Sequence, residues 1–194
     1  MSRTRFHHAP IVAAALLGLS LAACDHSPAP LSPDAAVFAH GIDKPRTAEF
    51  NRQLAALRRA TAPFHNFEKA EHAGYGVRIT SCWYHRELGA QGYHYGNPDL
   101  IDGTVDLLEP ELLMYEPQKN GRLRLVGVEY IVPIAAWEGE DPPTLLGQEF
   151  HRNEALGLFA LHVWLWRHNP EGMFADWNPK VSCEFADEAE DRAP

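Results

Sequence analysis

The chain has 194 residues, with 17 Lys and Arg against 26 Asp and Glu, and a formal charge of −9. That length suits one domain. The acidic balance repels phosphate backbones, so nucleic acid is excluded as an expected partner, and so is a peripheral grip on anionic lipid.

The first segment predicts an address. Arg3 and Arg5 give a positive start, and Ile11 to Ala23 is then almost wholly apolar. This run is shorter than the about 20 residues a membrane-crossing helix needs, and it suits the apolar part of a secretory signal peptide. It ends in Leu21, Ala22, Ala23 and Cys24. The order of charge, apolar run and "LAAC" resembles the signal segment of bacterial lipoproteins, in which the Cys receives lipid and becomes the first residue. The resemblance implies a signal peptide over 1–23, lipidation at Cys24 and a chain held to the bilayer by its acyl chains, facing the periplasm. Asp25 favours retention at the inner membrane. Residues 24–46 carry Pro28, Pro30, Pro33 and Pro45 among Ser, Asp and Ala, and read as an extended tether.

A domain is expected over 47–183. Thr47 can cap a helix in which Phe50, Leu54, Leu57, Thr61 and Phe64 recur at steps of four and three. Pro63 breaks it, and a second helical piece with Phe67, Ala70 and Ala73 ends at Gly74. Strand character begins at Tyr75. "YGVRITSC" alternates weakly, and "GYHYG" is short and bounded by glycines. "ELLMYEP" and "RLRLVGVEYIVP" form a predicted hairpin turning at Asn120-Gly121. Leu161 to Trp166 reads as a further strand with a helical lead-in, and a wholly helical reading of Glu154–Trp166 competes with it through its Ala and Leu content. Asn169, Pro170 and Gly172 suit a type I turn. Residues 184–194 read as a frayed acidic tail. Helices followed by antiparallel strands make an α+β fold, with the N-terminal helices packed on a curved sheet.

Cys24 takes the lipid on this reading, which leaves Cys82 and Cys183 as an even pair in an oxidising compartment. A disulfide is the expected state. The alternative, two thiolates on a metal, lacks the close Cys spacing of zinc ribbons.

Strand alternation singles out the chemistry. His162, Trp164 and Trp166 fall on one face of their strand. In "LVGVEYIVP", Val126, Val128, Tyr130 and Val132 share a face, and Gly127, Glu129 and Ile131 the other. His94 points away from Tyr93 and Tyr95. Each strand thus holds one ionisable group among apolar neighbours, and an unpaired carboxylate there costs several kcal/mol or loses its charge. If His94, Glu129 and His162 meet, they form a first shell for zinc or another divalent ion, or an acid–base pair without metal. Trp164 and Trp166 would wall a ligand pocket. The plain alternative is that each is an ordinary satisfied core residue, Glu129 bonding Arg124 or a Tyr hydroxyl. His85 and His151 are further candidates in expected loops.

The blocks "GYHYGNPDLIDGTVDLLEPELLMYEP", "GRLRLVGVEYIVP", "PPTLLGQEF" and "LHVWLWRHNPEGMFADWNPKVSC" resemble a family of exported bacterial proteins of uncharacterised function, over roughly Phe64 to Cys183. The resemblance implies an exported single domain and assigns no reaction. Three readings follow: an envelope lipoprotein with a small-ligand or metal pocket, a periplasmic enzyme using the His/Glu/His site for proton transfer or metal-assisted hydrolysis, and an assembly lipoprotein that binds another envelope protein.

Overall fold

Phe50, Leu54 and Leu57 form the inward stripe of a helix, and in the computed structural model that helix is α1, Ala48–Thr61. The structure describes residues 48–192, all within one compact unit. The expected signal peptide, Cys24, the tether and the cap Thr47 lie outside the described residues. Leu54 and Leu57 are buried, and Thr61 closes the stripe by donating its hydroxyl to the Leu57 carbonyl at 2.9 Å. Pro63 then sits in a 3-10 turn, Ala62–His65. Asn66 caps α2, Phe67–His72, by accepting from Glu68 N at 3.0 Å. Gly74 follows at φ +99, a backbone state that ends helices and suits glycine.

Ten strands follow: β1 Val77–Arg78, β2 Cys82–His85, β3 Gly89–Gly96, β4 Leu112–Pro117, β5 Leu123–Pro133, β6 Thr144–Leu145, β7 Gln148–Glu149, β8 His151–Asn153, β9 Leu158–Val163 and β10 Ala189–Asp191. The main sheet runs β10-β2-β3-β4-β5-β9-β8, with β1 added to β3 and β6–β7 a separate ribbon. All its pairs are antiparallel except β10 with β2. The sheet curls strongly, and the helix pair covers one of its faces. The fold is therefore α+β, as expected.

Residues directly opposite one another share a face. Tyr95, Leu113, Tyr115, Val128, Tyr130, Leu161 and Val163 pack with Leu54, Leu57 and Ala70 into the main core. The reverse face holds a smaller cluster of Ala90, Met114, Val126, Trp164 and Val181. Gly127 belongs to the close packing of this second side, since a Cβ there would lie 2.6 Å from Met114 Cε and 2.7 Å from the Val163 carbonyl oxygen.

Several expectations need correction. Val126 does not share a face with Val128. The β4–β5 register shifts at Met114/Tyr115, where Leu125 pairs with Tyr115 and Gly127 with Met114, so Val126 is the extra residue and turns to the opposite side. The strand expected over Leu161–Trp166 is β9, and it covers Leu158–Val163 instead. A turn over residues 154–157, closed by Gly157 N to Glu154 O at 3.3 Å, replaces the helical lead-in. The segment 184–194 does not fray over its described length. Cys183 is disulfide-bonded to Cys82, and Ala189–Asp191 pairs with Cys82–Tyr84. Acidic side chains that stay solvent-exposed at a sheet edge can still form a ladder when the chain is pinned upstream. His85 and His151 lie on β2 and β8, not in loops.

Candidate metal centre

His94 is on β3, Glu129 on β5 and His162 on β9. Glu129 lies directly opposite His162, and β4 separates Glu129 from His94. On this face β4 presents Leu112 and Met114, so His94 and Glu129 meet over a hydrophobic floor. Curling of the sheet shortens the span across that strand. His94 Nε2 lies 3.3 Å from one oxygen of Glu129, and His162 Nε2 lies 3.5 Å from the other. One ligand atom from each residue falls within 4.8 Å of the others. The side chains are 1%, 10% and 6% exposed for His94, Glu129 and His162, so this is an interior cluster. The expected meeting of the three is present in the geometry. Arg124 pairs with Glu116 instead of Glu129.

The ring nitrogens are arranged unusually. His94 Nδ1 is 2.9 Å from Thr80 Oγ1, which also accepts the His94 backbone N–H at 3.3 Å. His162 Nδ1 is 3.3 Å from Asp176 Oδ1, on a carboxylate that is half exposed. His94 Nε2 and both His162 nitrogens nevertheless lack an aligned hydrogen bond. Such a buried polar atom costs about 1–3 kcal/mol. The Nε2 atoms thus converge on Glu129 at ion-pair range without bonding to it.

Electrostatics divides the two imidazoles. Burial, with His162 nearby, holds His94 down to about 3, so it is neutral. Burial also pulls His162 down, but Glu129 and then Asp176 outweigh it and raise it above its ordinary value. Burial pushes Glu129 up against the pull of His162. Contact with His162 holds Asp176 down.

A metal fits this set. Zinc bonds of about 2.0–2.1 Å in a tetrahedron place donor atoms about 3.3–3.4 Å apart. Each Nε2 stands at about that separation from a different Glu129 oxygen, 3.3 and 3.5 Å, and one donor atom from each of the three residues lies within 4.8 Å of the others, so closing onto one ion takes a small shift of the carboxylate. Two imidazoles and a carboxylate would leave one tetrahedral position for water or a ligand.

The surroundings correct part of the predicted pocket. Trp164 does flank His162, its ring nearly parallel at 11° with centroids 6.5 Å apart. It is a buried wall whose Nε1 donates to the Ala175 carbonyl. Trp166 is not beside the site. The strand ends at Val163, alternation stops, and Trp166 packs into the main core with its ring 4.5 Å from His65. His151 pairs opposite Ala160, which puts it on the His162 face but exposed. His85 Nδ1 accepts the Glu87 and Leu88 backbone N–H groups at 3.2 and 3.3 Å, a local turn role.

Thr80, Trp83 and Asp176 escaped the sequence reading. Trp83 pairs opposite Gly92 and sits 5.7 Å from the His94 ring. Trp83 and Thr80 come from a bent segment with weak alternation, and Asp176 from a turn-rich loop. Neither has a period that reveals facing. No family model matches the chain, and no curated protein or solved structure does either.

Proposed function

We propose that this protein is a lipid-anchored envelope protein that binds a divalent metal, zinc by preference, through His94, Glu129 and His162. The observation that carries the metal reading is the convergence of two unbonded Nε2 atoms on one buried carboxylate. A cation would satisfy both nitrogens and neutralise a carboxylate that is costly to bury alone. On this reading residues 1–23 are the signal peptide and 24–46 carry the anchor and tether: the charged start, the apolar run and "LAAC" support Cys24 as the lipidated residue. Among the described residues no helix is long and apolar enough to cross a membrane.

Zinc titration of the chain with its disulfide formed tests the metal. A one-to-one complex that is lost in His94→Ala, Glu129→Gln and His162→Ala supports it, and no binding by the parent refutes it. Labelling with radioactive palmitate, with and without Cys24→Ser, tests the anchor.

A second reading, a hydrolytic or proton-transferring enzyme, draws on one feature. Three protein donors leave a position at which a bound water becomes acidic enough to attack near neutral pH. Turnover by the zinc-loaded chain that disappears in Glu129→Gln would establish it. An assembly role with another envelope protein would be supported by salt-sensitive capture of a basic partner from membranes.

A further inference from the structure

We infer that Asp176 is a positioning residue for metal binding: through His162 Nδ1 it holds the ring in the tautomer that turns the Nε2 lone pair toward Glu129 and His94. The inference rests on the metal reading above. A neutral imidazole has one N–H and one lone pair, so Nε2 can ligate only if Nδ1 keeps the proton. For His94, the Thr80 hydroxyl stands 2.9 Å from Nδ1. For His162, the facing atom is Asp176 Oδ1 at 3.3 Å, a charge contact that is not aligned as a hydrogen bond and so acts on the ring by electrostatics.

Asp176 is held there by its neighbours. The carbonyl of Ala175, just before it, accepts Trp164 Nε1 at 2.6 Å. The carbonyl of Trp177, just after it, accepts Asn169 Nδ2 at 2.9 Å. The Met173 carbonyl accepts the Trp164 backbone N–H at 2.9 Å. A half-exposed Asp needs no such framing for its own sake, because water would satisfy it. Both anchoring donors belong to residues close behind His162 in the chain, so the loop is folded back onto the strand that carries the ligand. The buried asparagine Asn169 and the indole of Trp164 therefore have a use that core filling does not explain.

The two partners are not equivalent. Thr80 offers His94 a neutral oxygen, whereas Asp176 offers His162 a carboxylate. A carboxylate on the far nitrogen both orients the ring and increases its basicity as a ligand, and loss of such a partner typically weakens metal binding by about 10–100-fold.

Zinc affinity of the full chain, disulfide formed, is the test, with Asp176→Ala and Asp176→Glu beside the parent. Asp176→Ala should bind zinc about 10–100-fold more weakly in a chain that still folds, and Asp176→Glu should recover part of the loss. Zinc affinity of Asp176→Ala within twofold of the parent overturns the inference. A check that needs no variant is nitrogen NMR of the zinc-loaded parent: a proton on His162 Nδ1 supports the inference, and a proton on Nε2 overturns it. A parent that binds no zinc ends the metal reading itself, an outcome visible before any variant is measured.

Discussion

On one face of the central sheet, Leu113, Tyr115, Val128, Tyr130 and Val163 meet the buried leucines of α1; on the other, Met114, Val126 and Trp164 share the interior with His94, Glu129 and His162. Both faces are dry, but they deal with polar atoms differently. Three buried phenols on the helix side each reach a carbonyl: Tyr75 that of Pro110 at 2.8 Å, Tyr115 that of Phe64 at 2.7 Å and Tyr130 that of Leu107 at 2.6 Å. On the reverse side the two Nε2 atoms are left unbonded at the centre of the cluster. A core built for stability alone satisfies or removes such groups. Apart from the Trp166 indole N–H, which is unpartnered on the helix side, the contrast separates a face that holds the fold from one that keeps nitrogen ligands available.

That contrast can be broken by experiment. The largest effect should come from the disulfide, which closes a sequence separation of 101 residues. Cys82→Ser should lower stability by up to about 4–5 kcal/mol in the chain-entropy model, read by urea unfolding. The same change should weaken zinc binding, because Cys82 lies between Thr80 and Trp83, both against His94. Next, Leu113→Ala on the helix side should cost about 2–5 kcal/mol while the folded fraction binds zinc as the parent does. If zinc affinity falls in step with stability, the two faces are not independent.

Glu129→Gln should do the reverse, abolishing zinc binding and leaving the metal-free protein as stable at pH 7 or more so. The sign follows from burial, which raises the Glu129 pKa in the folded state. A raised carboxyl binds protons more tightly when folded than unfolded, so its contribution to stability declines as pH climbs. Removing the charge removes that decline. A large loss of melting temperature without metal would mean that Glu129 is an ordinary structural partner of the two histidines.

Glu111 provides a smaller test of the same linkage away from the cluster. It is buried, accepts the Ile131 N–H at 3.0 Å, and is pushed up from 4.5 to about 8 chiefly by desolvation. Stability should fall between about pH 4.5 and pH 8, as the unfolded chain ionises this group before the folded one does. Glu111→Gln, which keeps an acceptor for Ile131, should flatten that slope in thermal scans. The smallest effect is expected at Trp166, whose buried Nε1 has no hydrogen-bond partner. Trp166→Phe removes both ring area and an unsatisfied donor, terms of opposite sign, so the change should stay within about 1 kcal/mol and leave zinc binding untouched.

Much of the site was legible because strands have a period of two. His94, Glu129 and His162 each interrupt an apolar strand, and the cost of burying them singly was enough to predict that they meet. Val126 and Trp166 were misplaced for one shared reason: alternation holds only while the ladder does. A register shift reverses facing at Val126, and the end of β9 at Val163 releases Trp166 to the other side. The acidic end was misjudged because its pairing with β2 comes from a partner about a hundred residues away in the chain.

From its residues alone, this chain determined an α+β order of elements, a Cys82–Cys183 pair, and a set of ionisable groups that a dry interior cannot leave isolated. Those are local consequences of periodicity and solvation, and they survive without knowledge of which strand lies beside which. Which nitrogen faces the carboxylate, that Thr80 and Asp176 stand behind the two rings, and that Trp166 turns away were decided only by the curled sheet and the loop pinned behind β9. These depend on contacts between segments far apart in the chain, for which no spacing in the sequence is a substitute.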